Sequence, residues 1–262
     1  MKVTSLVENT ANKYGIETEH GLSLYIETGG NTILFDMGQT NLFEENAKVL
    51  GIDLSKVDIA VLSHGHYDHG GGLKRFLEIN NKASIYLSQY AFDECYHGKM
   101  KYIGLEQKLR KNKRLVFIGN EKELEKGIFI YSPLEKLKYQ KSSSEFTRKE
   151  GEIFSKEDFR HELYLMIEEK GKKVLFSGCS HRGILEIAEF FHPDILIGGF
   201  HFSKFPLDDN LLKTAVALDH LQTKYYTCHC TGVKQFQFMK KKMKNLYYLS
   251  AGESITLLEE KQ

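Results

Sequence analysis

Val57-Asp58-Ile59-Ala60-Val61-Leu62-Ser63-His64-Gly65-His66-Tyr67-Asp68-His69-Gly70-Gly71-Gly72 runs from an apolar segment into a cluster of metal-capable side chains. The segment to Leu62 reads as a buried strand, and Leu73-Lys74-Arg75-Phe76-Leu77 beyond the glycines reads as a helix start. His64, His66, Asp68 and His69 therefore sit on a tight loop at the C-terminal end of a strand, where α/β proteins commonly build their sites. Imidazole nitrogens suit zinc and other borderline metals, and a carboxylate adds a charged ligand. In extended backbone, side chains alternate, so His64, His66 and Asp68 lean one way and His69 another. That pattern predicts two neighbouring metals, one on His64 and His66, the other on Asp68 and His69.

The chain has 262 residues, is 41% hydrophobic and 27% charged, and carries a net charge of +1. These values suit a globular protein with a sizeable core and imply no broad field for nucleic acid or an anionic membrane. The run Lys240-Lys241-Lys242 with Lys244 reads as a solvated helix face. No apolar run is long enough to span a bilayer, and the N-terminus lacks a signal peptide's apolar core, so a cytoplasmic location is expected. The 4 cysteines do not make a disulfide framework. Cys228-His229-Cys230 lacks the paired Cys-x-x-Cys arrangement of structural zinc.

Outward from the cluster, the chain shows the same layout twice. Leu22–Glu27 and Thr32–Asp36 flank Gly29-Gly30-Asn31, and Leu163–Glu168 and Lys173–Ser177 flank Lys170-Gly171-Lys172, both hairpin signals. Asn41 is placed to cap a helix reaching Leu50. Further strands are expected at 83–87, 115–118, 128–131, 194–197, 225–229, 246–249 and 254–258, with a turn at 121–127. Helices are expected at 184–191, at 207–220 and from Gly232 to Met243. Residues 89–114 show little periodicity. The polar segment 138–160 reads as an active-site flap or a mobile insertion; its Lys141, Arg148 and Lys149 read as solvated charges that could also meet a phosphate. Three more strand ends carry a histidine, His181, His201 and His229, able to complete two metal sites. A hairpin and strand–helix units, then the same again, predict an α/β (α+β) fold: a four-layer αββα sandwich, one domain over 1–262, with the site in the seam between two sheets.

His64-Gly65-His66-Tyr67-Asp68-His69 resembles the HxHxDH motif of the metallo-β-lactamase superfamily, and Asp36 matches its upstream acidic position. The resemblance runs over the whole chain. Glu19-His20-Gly21-Leu22-Ser23, Gly178-Cys179-Ser180-His181, Gly199-Phe200-His201 and His229-Cys230-Thr231-Gly232 resemble the branch that includes 7,8-dihydropterin-6-methyl-4-(β-D-ribofuranosyl)aminobenzene-5′-phosphate synthase. The resemblance implies a first metal on His64, His66 and His181 and a second on Asp68, His69 and His229. Many members carry a bridging Asp where this chain reads Gly178-Cys179, so either the Cys179 thiolate or water alone would bridge. Asp36 would orient the loop or a ligand histidine, while His201, and His20 with Glu19, would meet substrate or support the ligands. Flavodiiron members carry a glutamate where His66 stands and an appended flavodoxin domain, which argues against reduction of oxygen or nitric oxide here.

The expected chemistry is hydrolysis or phosphate-ester processing by a metal-bound hydroxide in a dinuclear site, with Asp68 and His201 as catalytic groups. Two divalent ions, zinc first and manganese or iron as alternatives, are the expected cofactors. The substrate would be a phosphorylated, pterin-like or nucleotide-like small molecule. The alternative is a metal-dependent sensor that binds without turnover. Nucleic-acid processing fits less well, because the charge balance is near neutral. The 14 tyrosines and 17 phenylalanines leave room for a homodimeric surface.

Overall fold

The computed structural model describes residues 1–132, 137 and 145–258. The first half runs through β1 (Lys2–Val7), β2 (Ser23–Thr28), β3 (Asn31–Phe35), helix α1 (Leu42–Val49) and β4 (Ile59–Val61). It continues with α2 (Tyr67–Gly70), α3 (Leu73–Ile79), β5 (Ser84–Ser88), β6 (Glu94–His97), β7 (Lys101–Tyr102) and β8 (Leu115–Ile118). Next come β9 (Lys122–Glu125), β10 (Ile128–Tyr131), β11 (Phe146–Glu150), β12 (Ile153–Lys156), β13 (Tyr164–Glu169) and β14 (Lys172–Ser177). The chain closes with α4 (Ile184–Phe191), β15 (Ile195–Gly198), α5 (Asp209–His220), β16 (Lys224–Thr227), α6 (Val233–Lys240), β17 (Leu246–Tyr248) and β18 (Ser254–Thr256).

Two sheets of seven strands result, ordered β18-β1-β2-β3-β4-β5-β8 and β17-β16-β15-β14-β13-β10-β9. Each contains an antiparallel hairpin, β2–β3 or β13–β14, followed by parallel strands. The hairpins close on Gly29-Gly30 and Lys170-Gly171, all four residues at positive φ, as tight primed turns require.

Alternation along the strands builds three apolar layers. Ile33 and Phe35 of β3, Ile59 and Val61 of β4, Val174 and Phe176 of β14, and Ile195 and Ile197 of β15 face the space between the sheets. The residues between them turn outward. Leu34 and Ala60 pack with Phe43 of α1 and Phe76 of α3, and Leu175 and Leu196 pack with Ile187 of α4 and Leu211 of α5. Helix, sheet, sheet and helix thus stack as an αββα sandwich whose central core is drawn from both halves. No helix among the described residues is long and apolar enough to cross a membrane.

Several local expectations change. Residues 67–70 form a helical turn, so Asp68 and His69 are not set by strand alternation; adjacent side chains on a helix diverge by about 100°. Asn41 occupies the N-cap position of α1 without a side-chain capping bond; the Thr40 hydroxyl accepts the Leu42 N–H instead, at 3.1 Å. The stretch 122–125, expected as a turn, pairs with β10 as an edge strand. The unpatterned 94–102 and the polar 146–156 become a small third sheet, β12-β11-β6-β7. Of the segment 138–160, residues 138–144 lie outside the described residues, Lys141 among them. Arg148 pairs with Asp158 at 2.7 Å, and Lys149 stands 3.9 Å from Glu152.

Candidate metal centre

Strand β3 ends at Phe35, and Asp36 turns the chain in the left-handed region at φ 61°. Its buried carboxylate then serves two histidines. Oδ1 accepts the Ser63 N–H at 2.7 Å, and Oδ2 accepts the Ser63 hydroxyl and the His69 Nδ1–H, both at 2.7 Å. The Ser63 hydroxyl gives its one proton to Asp36, so its contact with His64 Nδ1 at 2.9 Å makes that nitrogen the donor. Both rings therefore carry hydrogen on Nδ1 and present the Nε2 lone pair to the seam. The loop between them is held closely: a Cβ at Gly65 would overlap the Ala91 carbonyl oxygen.

From the same sheet, the end of β1 delivers Glu8 and Asn9. Glu8 accepts the His229 N–H at 2.6 Å and the Tyr248 hydroxyl at 2.7 Å. Asn9 Oδ1 accepts from His229 Nδ1 at 2.8 Å, and its amide nitrogen donates to His20 Nδ1 at 3.1 Å. His229 thus also turns its Nε2 lone pair inward, while His20 keeps its hydrogen on Nε2 and donates it to Asp68 Oδ2 at 3.2 Å. His69 Nε2 lies 3.2 Å from His229 Nε2 and 3.2 Å from Cys179 Sγ, and His229 Nε2 lies 3.5 Å from Asp68 Oδ2.

His181 is held differently. Its backbone N–H donates to buried Glu162 at 2.8 Å. Its ring stacks on Phe159 at 4.2 Å and 6°, and neither ring nitrogen has a hydrogen-bond partner. The Nε2 atoms of His64 and His66 are likewise buried and unpartnered. The His66 ring centroid is 4.6 Å from that of His64 and 5.1 Å from that of His181. Burial costs a charged imidazole its hydration. Burial, and then the crowding of imidazoles, holds His64 and His181 well below the ordinary histidine range and His66 at about 3. Burial alone would depress His69 too, but Asp36 and Asp68 outweigh it and raise that residue. Burial opposes charge on Asp68, yet the neighbouring His69 and the hydrogen bond from His20 pull its pKa well down. Neutral imidazoles at His64, His66 and His181, with unpartnered buried nitrogens beside an ionised carboxylate, are the donor set a divalent cation takes, and buried polar atoms rarely stay unpartnered otherwise.

The donor atoms cluster as His64–Cys179–His181, His69–Cys179–His229 and His20–Asp68–His229, each within 4.8 Å. His66 clusters instead with Cys95 and His161. This fourth group is a buttress: His161 Nδ1 accepts the Gly65 N–H at 2.7 Å, which leaves the ring hydrogen on Nε2, and the Cys95 thiol donates to Glu157 at 3.3 Å. Glu19 spends its carboxylate on the Gln39 and Thr40 N–H groups and the Thr40 hydroxyl, bracing the loop beside the site. His201, at φ 55°, lies with its ring 4.3 Å from that of His181, and burial holds it at about 4.

These groups open onto a cavity of about 590 Å³. Its floor includes His66, Asp68, Cys179, His181 and His201; its rim carries Tyr67, His97, Lys101, Lys204 and Phe205. The third sheet covers one side. Phe146 of β11 stacks 5.7 Å from the His66 ring, and Glu145 beside it pairs with Lys204 at 2.9 Å and His97 at 3.3 Å.

Sequence reading missed Glu8, Asn9, His161, Phe159, Phe146 and Glu162. Glu8 and Asn9 carried a usable signal, a polar pair directly after a buried strand. His161 precedes its strand rather than following it, and so escaped the pattern that found the other histidines.

The chain is 32% identical to an uncharacterized protein of Methanocaldococcus jannaschii, covering 95% of this chain and 98% of that one. It is 28% identical to the 7,8-dihydropterin-6-methyl-4-(beta-D-ribofuranosyl)-aminobenzene-5'-phosphate synthase of the same organism, over 97% and 96% of the two chains. Among solved structures it is similar to Tm1679, described as a metal-dependent hydrolase of the beta-lactamase superfamily, with TM-score 0.84, 30% identity and coverage of 99% and 100%. The model of the metallo-beta-lactamase superfamily matches residues 17–215, and the chain belongs to that superfamily.

Proposed function

We propose that this chain is a metal-dependent hydrolase or phosphate-ester-processing enzyme with a dinuclear centre, acting on a phosphorylated, pterin-like or nucleotide-like small molecule. The observation that carries the proposal is the set of buried, unpartnered imidazole nitrogens at His64, His66 and His181, with His69, His229 and Asp68 beside them. His64, His66 and His181 would hold one ion, and Asp68, His69 and His229 the other. Two divalent ions, zinc first and manganese or iron as alternatives, supply Lewis acidity and lower the pKa of bound water to about 7.

The protein's own groups do the rest. Asp68, steadied by His20, accepts a hydrogen bond from the attacking water and aligns it. His201, neutral at pH 7, offers a ring N–H to charge developing on the leaving oxygen. At the rim, Lys101, Lys204 and His97 favour an anionic group, and Tyr67, Phe146 and Phe205 favour a flat ring. The 28% identical synthase supports a phosphorylated pterin-like substrate by its printed name. A cavity of this size fits a small molecule rather than nucleic acid.

The test is turnover of the zinc- or manganese-loaded protein on phosphomonoesters, phosphodiesters, cyclic nucleotides, lactones and thioesters. Hydrolysis abolished by His66→Ala, with the fold retained by circular dichroism, supports the enzyme. Tight binding of a panel member without turnover would instead make the site a sensor.

A further inference from the structure

Cys179 is the one residue common to the two donor sets, grouping with His64 and His181 on one side and with His69 and His229 on the other. Its sulfur lies 3.2 Å from His69 Nε2. The backbone holds it there. A Cβ at Gly178 would overlap Ser63 Oγ and stand 3.2 Å from His64 Nδ1, so the end of β14 presses against the Asp36–Ser63–His64 relay. The Gly199 N–H fixes the Gly178 carbonyl at 2.8 Å. Asp68, the carboxylate among the clustered donors, groups only with His20 and His229. Cys230, the other thiol on the cavity wall, sits against Cys179 but belongs to none of the clustered donor sets: it accepts the His201 N–H at 3.3 Å and donates to the Cys179 carbonyl at 3.6 Å.

Resting on the dinuclear reading above, we infer that Cys179 bridges the two metal ions as a thiolate, and that the centre therefore selects thiophilic ions such as zinc, iron and cobalt over magnesium and calcium. Two dications in one seam repel, and an anionic donor shared by both offsets that repulsion. Soft thiolate ligands favour the later transition metals and zinc. On loading, the S–H bond breaks, sulfur keeps the electron pair and bonds metal, and the proton leaves to solvent.

The experiment loads metal-stripped full-length chain with Co²⁺ and follows stoichiometry, near-ultraviolet absorption and electron paramagnetic resonance. The expected result is two equivalents, a sulfur-to-cobalt charge-transfer band and magnetically coupled ions. Cys179→Ser should lose the band and bind cobalt more than about 10-fold more weakly, while Cys230→Ser keeps the band. Two equivalents bound without a band, a band surviving in Cys179→Ser, or a band with uncoupled ions would each overturn the bridge and leave the dinuclear reading standing. No cobalt bound would overturn both. Should Cys179→Ser fail to fold, mass mapping of iodoacetamide labelling in the wild-type chain decides. Protection of Cys179 by metal supports the bridge, and equal labelling with and without metal overturns it.

Discussion

His64 and His69 are fixed through hydrogen bonds to one buried carboxylate, Asp36, directly or by way of Ser63. His181, across the seam, makes no side-chain hydrogen bond and is held by the flat face of Phe159. The first wall is preorganised by polar bonds that set both the angle and the tautomer of each ring. The second is preorganised by packing, which sets angle but leaves both nitrogens free. His229 sits between these cases, because Asn9 and Glu8 reach across from the first sheet's opening strand to orient it. One wall is thus rigid before metal arrives, and the other depends on apolar contact for its aim.

Four substitutions probe the difference between the two walls. Asp36→Ala has the largest expected effect, since it leaves the Ser63 and His69 donors unpaired in the interior at about 1–3 kcal/mol each. It releases two imidazoles at once, and metal competition assays should show affinity falling by more than about 100-fold. Phe159→Ala should cost about 3–5 kcal/mol in urea unfolding, as for other fully buried aromatics. Its loss of metal affinity should be smaller than that of Asp36→Ala; an equal or larger loss would erase the distinction between the walls. Asn9→Ala should weaken one metal equivalent by about 10- to 100-fold, with a stability loss near 1 kcal/mol. Both equivalents weakening alike would show that His229 is not tied to one site. Glu145→Gln, an exposed latch between the third sheet and Lys204, should leave the unfolding midpoint unchanged and alter KM for an anionic substrate by less than about 5-fold.

The first wall was the more legible in sequence. A buried strand followed by His64, His66, Asp68 and His69 announces itself, because strand periodicity and ligand density are both local. The strand ends at His181, His201 and His229 were legible for the same reason, and so were the two glycine-closed hairpins. What escaped depends on partners far apart in the chain. Glu8 and Asn9 act on a residue about 220 positions away. The strands of the third sheet are short and largely polar, and β6 pairs with β11 across about 50 residues. Asp68 departs from strand alternation because residues 67–70 tighten into a helical turn, and the glycines that end and follow it, Gly70, Gly71 and Gly72, lie where a Cβ would overlap Leu105, Gln39 and Met37. At Asn41 the neighbouring Thr40 hydroxyl competes successfully for the capping bond.

On the proposed reading, the two walls close over two metal ions. Elemental analysis of the zinc-reconstituted chain, with His229→Ala measured alongside, decides the matter. Two equivalents per chain are expected, falling to one in His229→Ala. Zero or one equivalent in the wild-type chain would contradict that reading.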